Sequence, residues 1–364
     1  MSFGNTVKRL RRERNMTQEQ LAEVLSISPQ AVSRWETDVS MPDISLIAPL
    51  CNLFNITSDE LLEIDNTRRQ EDVKDICEEA EKYSQRGYLE KAREILEDGL
   101  KKYPEHSDIV YELMYVSHAQ YGNTNGAKYL DETIRWGEKI LAQSTEDNQR
   151  HGAIQLLCYC YRDVGRLDEA VKMAESMPFM CESQEMLLSR IYSGNKAYEA
   201  SQTEVWTLLQ FLSWGVSSLQ TKLDSGEYAY TRDEWAVLRD KRIALLHLFF
   251  ENGDFGFYHT HLSDTHRDQA FYYAKNGDKE KALEHLCLAA EHAIKFITSE
   301  GEESTSLAFR GMKRGSWCTG DSENDAARLL NTMQNQFFDG IRDTDEFRKI
   351  SKNLSEYAGQ WTVQ

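Results

Sequence analysis

The sequence is poor in the two residues that most often interrupt helices. Proline occurs five times in 364 residues, and three of the five fall within the first 49. Glycine occurs 20 times, which is below its usual share of about 7%. So few helix breakers exclude collagen-like chains and turn-rich β-sandwiches, and they predict one helix after another.

The sequence also lacks paired cysteines and long apolar runs. Its seven cysteines are irregularly spaced without a CxxC motif, as is typical of free thiols in a reducing compartment. The charged segment 1–14 lacks the apolar core of a signal peptide. The apolar runs, such as residues 243–250, are too short to cross a bilayer. These absences predict a cytoplasmic protein that does not enter the membrane.

The formal charge of −18 is unevenly distributed along the chain. Residues 1–36 contain six Lys and Arg side chains against four Glu side chains, and the rest of the chain carries a net charge of −20. A small basic end attached to a large acidic remainder indicates a nucleic-acid contact at the N-terminal end only.

Residues 1–66 contain the signals of five short helices. Thr17 and Gln20 have the spacing of a capping box that begins the second helix. After the turn 26–28, Ser28 is a predicted N-cap and Pro29 occupies the first position of the third helix, where a missing N–H does no harm. Two helices joined by so short a turn predict helix-turn-helix geometry.

The third helix, predicted over residues 29–36, has an apolar arc and a polar arc. At about 100° per residue, Ala31, Val32 and Trp35 share the arc that packs inward. The opposite arc carries Pro29, Gln30, Ser33 and Arg34. Glutamine can pair bidentately with adenine and arginine with guanine in the major groove, so this arc is suited to reading base edges.

The run MTQEQLAEVLSISPQAVSRWE, residues 16–36, closely resembles the DNA-binding domain of the XRE, or lambda-repressor-like, helix-turn-helix regulators. The resemblance continues through residues 41–45 and 50–62. It implies an all-α, five-helix domain over residues 1–66 that binds double-stranded DNA. The wholly polar segment 65–71 is predicted to be the linker that follows.

The resemblance also assigns roles to individual residues. Gln18, at the start of the second helix, matches a contact to the phosphate backbone. The positions that match the recognition helix are Ser28, Pro29, Gln30, Ser33 and Arg34. Arg9 and Arg12 are further candidates for phosphate contacts, with a solvated charged face as the alternative. Arg11 and Glu36 match a family ion pair that joins the first helix to the end of the third.

A recurring Tyr-x3-Gly-x4-Ala spacing follows in the rest of the chain. It occurs at residues 83, 87 and 92, at 161, 165 and 170, and at 273, 277 and 282, with a weaker copy at 249, 253 and 258. This spacing resembles the tetratricopeptide (TPR) repeat and implies a TPR-like α-solenoid over residues 67–364. Its concave face would bind a peptide or protein effector, or else the array only holds a dimer together.

The sequence contains few patterns that are typical of metal-binding or catalytic sites. His259, His261 and His266, with Asp264, form the one histidine cluster, but no cysteine or further carboxylate of ligand-like spacing accompanies it. Motifs for nucleotide binding and for activated nucleophiles are missing. We therefore expect no metal, no cofactor, no catalytic residue and no enzymatic activity.

Together these features predict a sequence-specific transcriptional regulator, and a repressor in particular, that binds DNA as a homodimer held mainly by residues after 70. Two alternatives stay open. The chain also resembles the peptide-pheromone-responsive regulators of Gram-positive bacteria, although most mid-chain asparagines, which hold the peptide in that family, lie here in predicted turns. The other alternative is an antitoxin or scaffold whose DNA binding is only autoregulatory.

Overall fold

The computed structural model describes residues 3–62, 66–313, 319 and 321–363. The regular structure of these residues is helical, with 18 α-helices, four short 3-10 helices and no strand beyond isolated bridges. The prediction of an all-α protein is therefore confirmed.

The N-terminal domain contains the five predicted helices. They are α1 (Phe3–Glu13), α2 (Gln18–Val24), α3 (Pro29–Glu36), α4 (Ile47–Phe54) and α5 (Ser58–Leu62). Pro49 lies in the first turn of α4, where its missing N–H is tolerated, because a 3-10 turn (Ile44–Leu46) delays the start of the helix. The buried core of the domain consists of Phe3, Val7, Leu10, Leu21, Ala22, Leu25, Val32, Trp35, Leu50, Phe54 and Leu61.

Burial follows the apolar arc of α3 but does not extend to every apolar residue of α2. Val32 and Trp35 of α3 are buried and Ala31 is half-buried, as the apolar arc predicts. Val24 of α2, although apolar, is 57% exposed. It is the last residue of a seven-residue helix, and the packing side of α2 is covered by Leu21 and Leu25.

The next helix, α6 (Asn66–Ser84), begins at the predicted limit of the first domain. The chain divides into two compact units between Glu78 and Glu79, inside this helix. The segment predicted as a linker is helical from Asn66 onward, and Asp65 lies outside the described residues. Residues 68–71 are exposed, so the polar composition of this segment reflects its contact with solvent.

The body, residues 79–364, is a succession of helices, most of which pack against the next helix along the chain. Its first helices are α7 (Leu89–Lys102), α8 (Ser107–Thr124), α9 (Ala127–Gln143), α10 (Asp147–Asp163), α11 (Leu167–Ala174) and α12 (Gln184–Ile191). They are followed by α13 (Gly194–Ser218), α14 (Arg232–Phe249), α15 (Tyr258–Lys275), α16 (Lys279–Thr298), α17 (Asp325–Met333) and α18 (Asp345–Tyr357). None of the described helices is both long and apolar enough to span a membrane.

The repeat spacing marks helical hairpins, as predicted. The glycine of each copy has a positive φ in the turn between two helices, and the alanine is buried in the second helix. These glycines are Gly87, Gly165 and Gly277, and Gly253 plays the same part in the weaker copy. Near the end of the body, the Asn324 side chain caps α17 by accepting from the Ala327 N–H.

The turn between α6 and α7 is clamped by residues from the far end of the chain. Arg86 Nη2 lies 2.7 Å from Glu300 Oε1, and the guanidinium lies 5.0 Å from the centre of the Trp361 ring. The Tyr88 hydroxyl donates to the Trp361 carbonyl over 2.7 Å. We call these contacts of Arg86 and Tyr88 with Glu300 and Trp361 the turn clamp. A solenoid made only of nearest-neighbour contacts has no such closure, so the repeat pattern does not predict the turn clamp.

Candidate nucleic-acid interface

The helix-turn-helix unit is defined by its caps. Thr17 Oγ1 accepts from the Gln20 N–H over 3.2 Å, and Gln20 Oε1 accepts from the Thr17 N–H over 2.8 Å, which completes the predicted capping box. Ser26 follows α2 in the left-handed conformation with a φ of 55°. Ser28 Oγ then accepts from the Ala31 N–H over 3.2 Å and begins α3. Local hydrogen bonds thus fix where both helices start.

Helix α3 presents the predicted polar arc to solvent. Ser28, Pro29, Gln30 and Arg34 are exposed, and Ser33 is half-buried. The opposite arc is anchored in the core by Val32 and Trp35. A helix held in this way presents two long side chains, Gln30 and Arg34, with the donors and acceptors needed for bidentate base contacts.

The structure brings Arg11 and Glu36 together behind this helix. Arg11 Nε donates to Glu36 Oε1 over 2.5 Å, and Nη2 donates to Oε2 over 3.0 Å. Arg11 Nη1 also donates to the Met16 carbonyl over 2.6 Å. Both charged residues are buried. The end of α1, the turn before α2 and the end of α3 therefore share one buried hydrogen-bonded network.

Each charge in this network stabilises the ionised form of the other. Burial opposes the ionisation of Glu36, but hydrogen bonds from Arg11 and Gln18 outweigh burial and hold the pKa of Glu36 below its usual value. The same pairing raises the pKa of Arg11. The two groups therefore remain charged at neutral pH.

Gln18 has a role that sequence reasoning missed. Its side-chain amide donates to Glu36 Oε2 over 2.8 Å, so it orients the carboxylate that also holds Arg11. Gln18 remains half-exposed, and its second amide hydrogen is available for the predicted phosphate contact. Because this bond joins residues 18 positions apart, no local spacing signals it.

The structure places the remaining candidates on the surface of α1. Arg9 donates to Glu13 over 2.9 Å in an exposed pair one helical turn apart, and Arg12 is exposed. Arg14, which sequence reasoning left unassigned, donates to the Phe54 carbonyl at the end of α4 over 3.0 Å. Arg14 thereby ties α1 to α4, which makes it a structural residue.

The three histidines singled out in the sequence lie in the body, and two of them, His259 and His266, pair with histidines of α16. His259 Nδ1 lies 2.8 Å from His292 Nδ1, and His266 Nδ1 lies 2.9 Å from His285 Nδ1. Burial lowers the pKa of His259 to about 4 and that of His266 to about 3. Neutral rings suit these contacts, since in each pair one nitrogen must donate and the other accept.

The N-terminal domain has known relatives. The helix-turn-helix family model matches residues 7–61, which span α1 to α5. The N-terminal domain is a helix-turn-helix domain. Among curated proteins, a stretch of 62 residues is 40% identical to the HTH-type transcriptional activator BcrR of Enterococcus faecalis, covering 17% of this chain and 30% of that protein.

Two regulators of Bacillus subtilis strain 168 also match part of this chain. ImmR is 33% identical over 73 residues, which is 20% of this chain and 58% of ImmR. The uncharacterised regulator YonR, from the SPbeta prophage, is 29% identical over 104 residues, which is 28% of this chain and 94% of YonR. The chain thus spans 30% of the length of BcrR and 58% of the length of ImmR.

Among solved structures, two regulators align along most of this chain. Bacillus thuringiensis PlcR, in complex with the peptide PapR7 and DNA, is 13% identical with a TM-score of 0.26, covering 98% of this chain and 94% of PlcR. The apo form of the competence regulator ComR from Streptococcus vestibularis is 15% identical with a TM-score of 0.27, and the alignment covers 80% of this chain and 91% of ComR. TM-scores of this size do not establish a shared architecture.

Proposed function

We propose that this protein is a sequence-specific DNA-binding transcriptional regulator, a repressor that acts by occupying promoters, and not an enzyme. The observation that carries the proposal is helix α3, which is fixed in the core by Val32 and Trp35 and exposes Gln30 and Arg34 on its outer arc. The Arg11–Glu36 pair braces the helix from behind. Such a helix can enter the major groove without rearranging.

The direct test is to select bound sequences from random double-stranded DNA with the full-length protein and to measure affinity for the selected operator. Replacing Gln30 or Arg34 by Ala is expected to weaken operator binding by about 1–3 kcal/mol and to relax the preference at one base position. Arg348→Ala is the matched control, because Arg348 is also exposed but lies in α18 of the body. If Arg34→Ala binds operator and scrambled DNA as the unsubstituted protein does, the assigned reading face is wrong.

We further propose that the body forms a two-fold homodimer. One helix-turn-helix domain reads only a few base pairs, and specific occupancy generally uses two half-sites about 34 Å apart. An exposed apolar stripe at helical spacing runs along the end of α13. It is formed by Leu208, Phe211 and Leu212 of the helix and by Leu219, which directly follows it, each 40–53% exposed. A stripe of this kind is suited to a protein–protein interface, and a two-fold axis would place the same surface of both copies in contact.

Leu212→Glu is expected to convert the dimer into a monomer, because it places a charge in the centre of the proposed interface. Operator affinity should fall about tenfold to a hundredfold, since the two reading helices would no longer bind as one unit. Sedimentation of the full-length protein gives the oligomeric state, and binding to one half-site should be unchanged. The control is Leu248→Glu on α14, which alters an apolar side chain that is 74% exposed outside the stripe. A monomeric unsubstituted protein would rule out the proposed dimer.

A further inference from the structure

A concave cavity of about 350 Å³ lies in the body where α14 faces α15. The short hairpin that precedes α14 forms one side, and its backbone pairs the Leu223 N–H with the Glu227 carbonyl over 2.9 Å. Phe337, from the 3-10 turn after α17, forms the far side. Its volume is within the range of about 300–1,000 Å³ that small organic ligands occupy.

The walls of this cavity are largely aromatic. They include the rings of Tyr228, Tyr230, Trp235, Phe271, Tyr272 and Phe337. Phe271 and Phe337 meet edge to face, with ring centres 5.9 Å apart. The Tyr272 hydroxyl donates to Asp233 over 2.8 Å and so holds its ring in place. Such walls favour a ligand with a flat apolar body.

The charge inside the cavity is opposite to that of the chain as a whole. Arg232, Arg239 and Lys275 line it, and none of the three has an ion-pair partner within the part of the chain that the structure describes. The one lining carboxylate, Asp268, is held by Arg267 at 3.0 Å. In a protein of formal charge −18, this concentration of unpaired positive charge is suited to an anionic group.

Arg239 is the most constrained of the three cations. Its guanidinium lies 5.5 Å from the centre of the Trp235 ring, and burial lowers the pKa of Arg239. The carboxylates of Asp268 and Asp240 oppose this shift without forming an ion pair with Arg239, so an anion that reaches the guanidinium stabilises it further.

We infer that this cavity is a binding site for a small aromatic carboxylate, whose ring lies among the aromatic walls and whose carboxylate faces Arg239 and Arg232. The inference concerns the body and does not depend on DNA binding by the N-terminal domain.

The test is calorimetric titration of the full-length protein with naphthalene-2-carboxylate and with its uncharged counterpart, naphthalene-2-carboxamide. We expect the carboxylate to bind at least about tenfold more tightly, as one charge-assisted contact is worth about that factor. Arg239→Gln should remove this preference and leave carboxamide affinity within about twofold. Arg232→Gln, at an exposed position, should reduce the preference by a smaller factor, with thermal unfolding showing that both variants fold.

Arg135→Gln is the matched control, because Arg135 also lies over an indole ring, 4.4 Å from the centre of Trp136, but on α9 outside the cavity. This variant should keep the full preference for the carboxylate. The inference is overturned if neither compound binds at millimolar concentration, if the two bind equally well, or if folded Arg239→Gln retains the preference.

Discussion

Glu36→Ala is expected to lower the free energy of unfolding of the N-terminal domain by about 3–5 kcal/mol, because it leaves the Arg11 guanidinium buried without a counter-charge. Arg11 is 9% exposed and donates two hydrogen bonds to Glu36. Replacing both partners by apolar residues, as in Arg11→Met with Glu36→Leu, should recover much of the loss, since no buried charge then remains unpaired.

The loss can be measured on residues 1–66, where Trp35 is the only tryptophan and reports urea unfolding by fluorescence. Glu13→Ala is the control, because it breaks an exposed Arg9–Glu13 pair, and such pairs contribute about 0.3–0.5 kcal/mol. Equal losses for Glu36→Ala and Glu13→Ala would show that the buried pair does not brace the domain.

The same pair predicts a pH dependence. The folded-state pKa of Glu36 is lowered, so its contribution to stability is fully present above the unfolded-state pKa of about 4.3. That contribution is lost as the pH falls through the lower folded-state pKa. The difference in unfolding free energy between the unsubstituted domain and Glu36→Gln should therefore be constant from pH 7 to 5 and shrink below pH 4. A difference that grows on acidification would contradict the assignment.

Gly87→Ala is expected to destabilise the body through two separate effects. Gly87 has a φ of 74°, which costs other residues about 1–3 kcal/mol. A Cβ at this position would also lie 2.3 Å from the Asp321 carbonyl carbon and 2.5 Å from the Ser322 nitrogen, which are backbone atoms. Moving that backbone away should cost about a further 1–3 kcal/mol and loosen the turn clamp.

Gly165→Ala separates the two effects. Gly165 occupies the same position of the repeat with a φ of 80°, but a Cβ there meets nothing within 4 Å. Urea unfolding of the full-length protein should show the larger loss for Gly87→Ala, and hydrogen exchange should accelerate around residues 85–88 and 321–323 in that variant alone. Equal effects of the two substitutions would mean that the 321–322 backbone does not press on the turn.

Sequence reasoning succeeded where a structural feature depends on neighbouring residues. The Thr17–Gln20 capping box, the Ser28 cap and the repeat glycines each act within a few positions, so their chemistry is visible in the sequence. The five helices of the first domain and the hairpins of the body follow from such signals. Val24 shows the limit of periodicity, because position within a short helix, and not residue type, decides its exposure.

Features that join distant residues left no such signal. The Gln18–Glu36 hydrogen bond depends on how α2 packs beside α3, and the cavity of the body depends on how a hairpin, two helices and Phe337 converge. The partners in the turn clamp are separated by 214 to 273 positions. Only the tertiary arrangement brings these groups together, and a single sequence does not specify it.

The turn clamp has a consequence for the order in which the protein acquires its fold during synthesis. Tyr88 leaves the ribosome 273 residues before Trp361, the residue whose carbonyl its hydroxyl contacts. At about 5–20 residues per second, this interval lasts roughly 15–55 s. During that time Arg86 and Gly87 lack the segments that later cover them, so nascent chains halted before residue 300 should expose this turn to proteases. The turn between α6 and α7 is thus fully covered only after translation has passed Trp361.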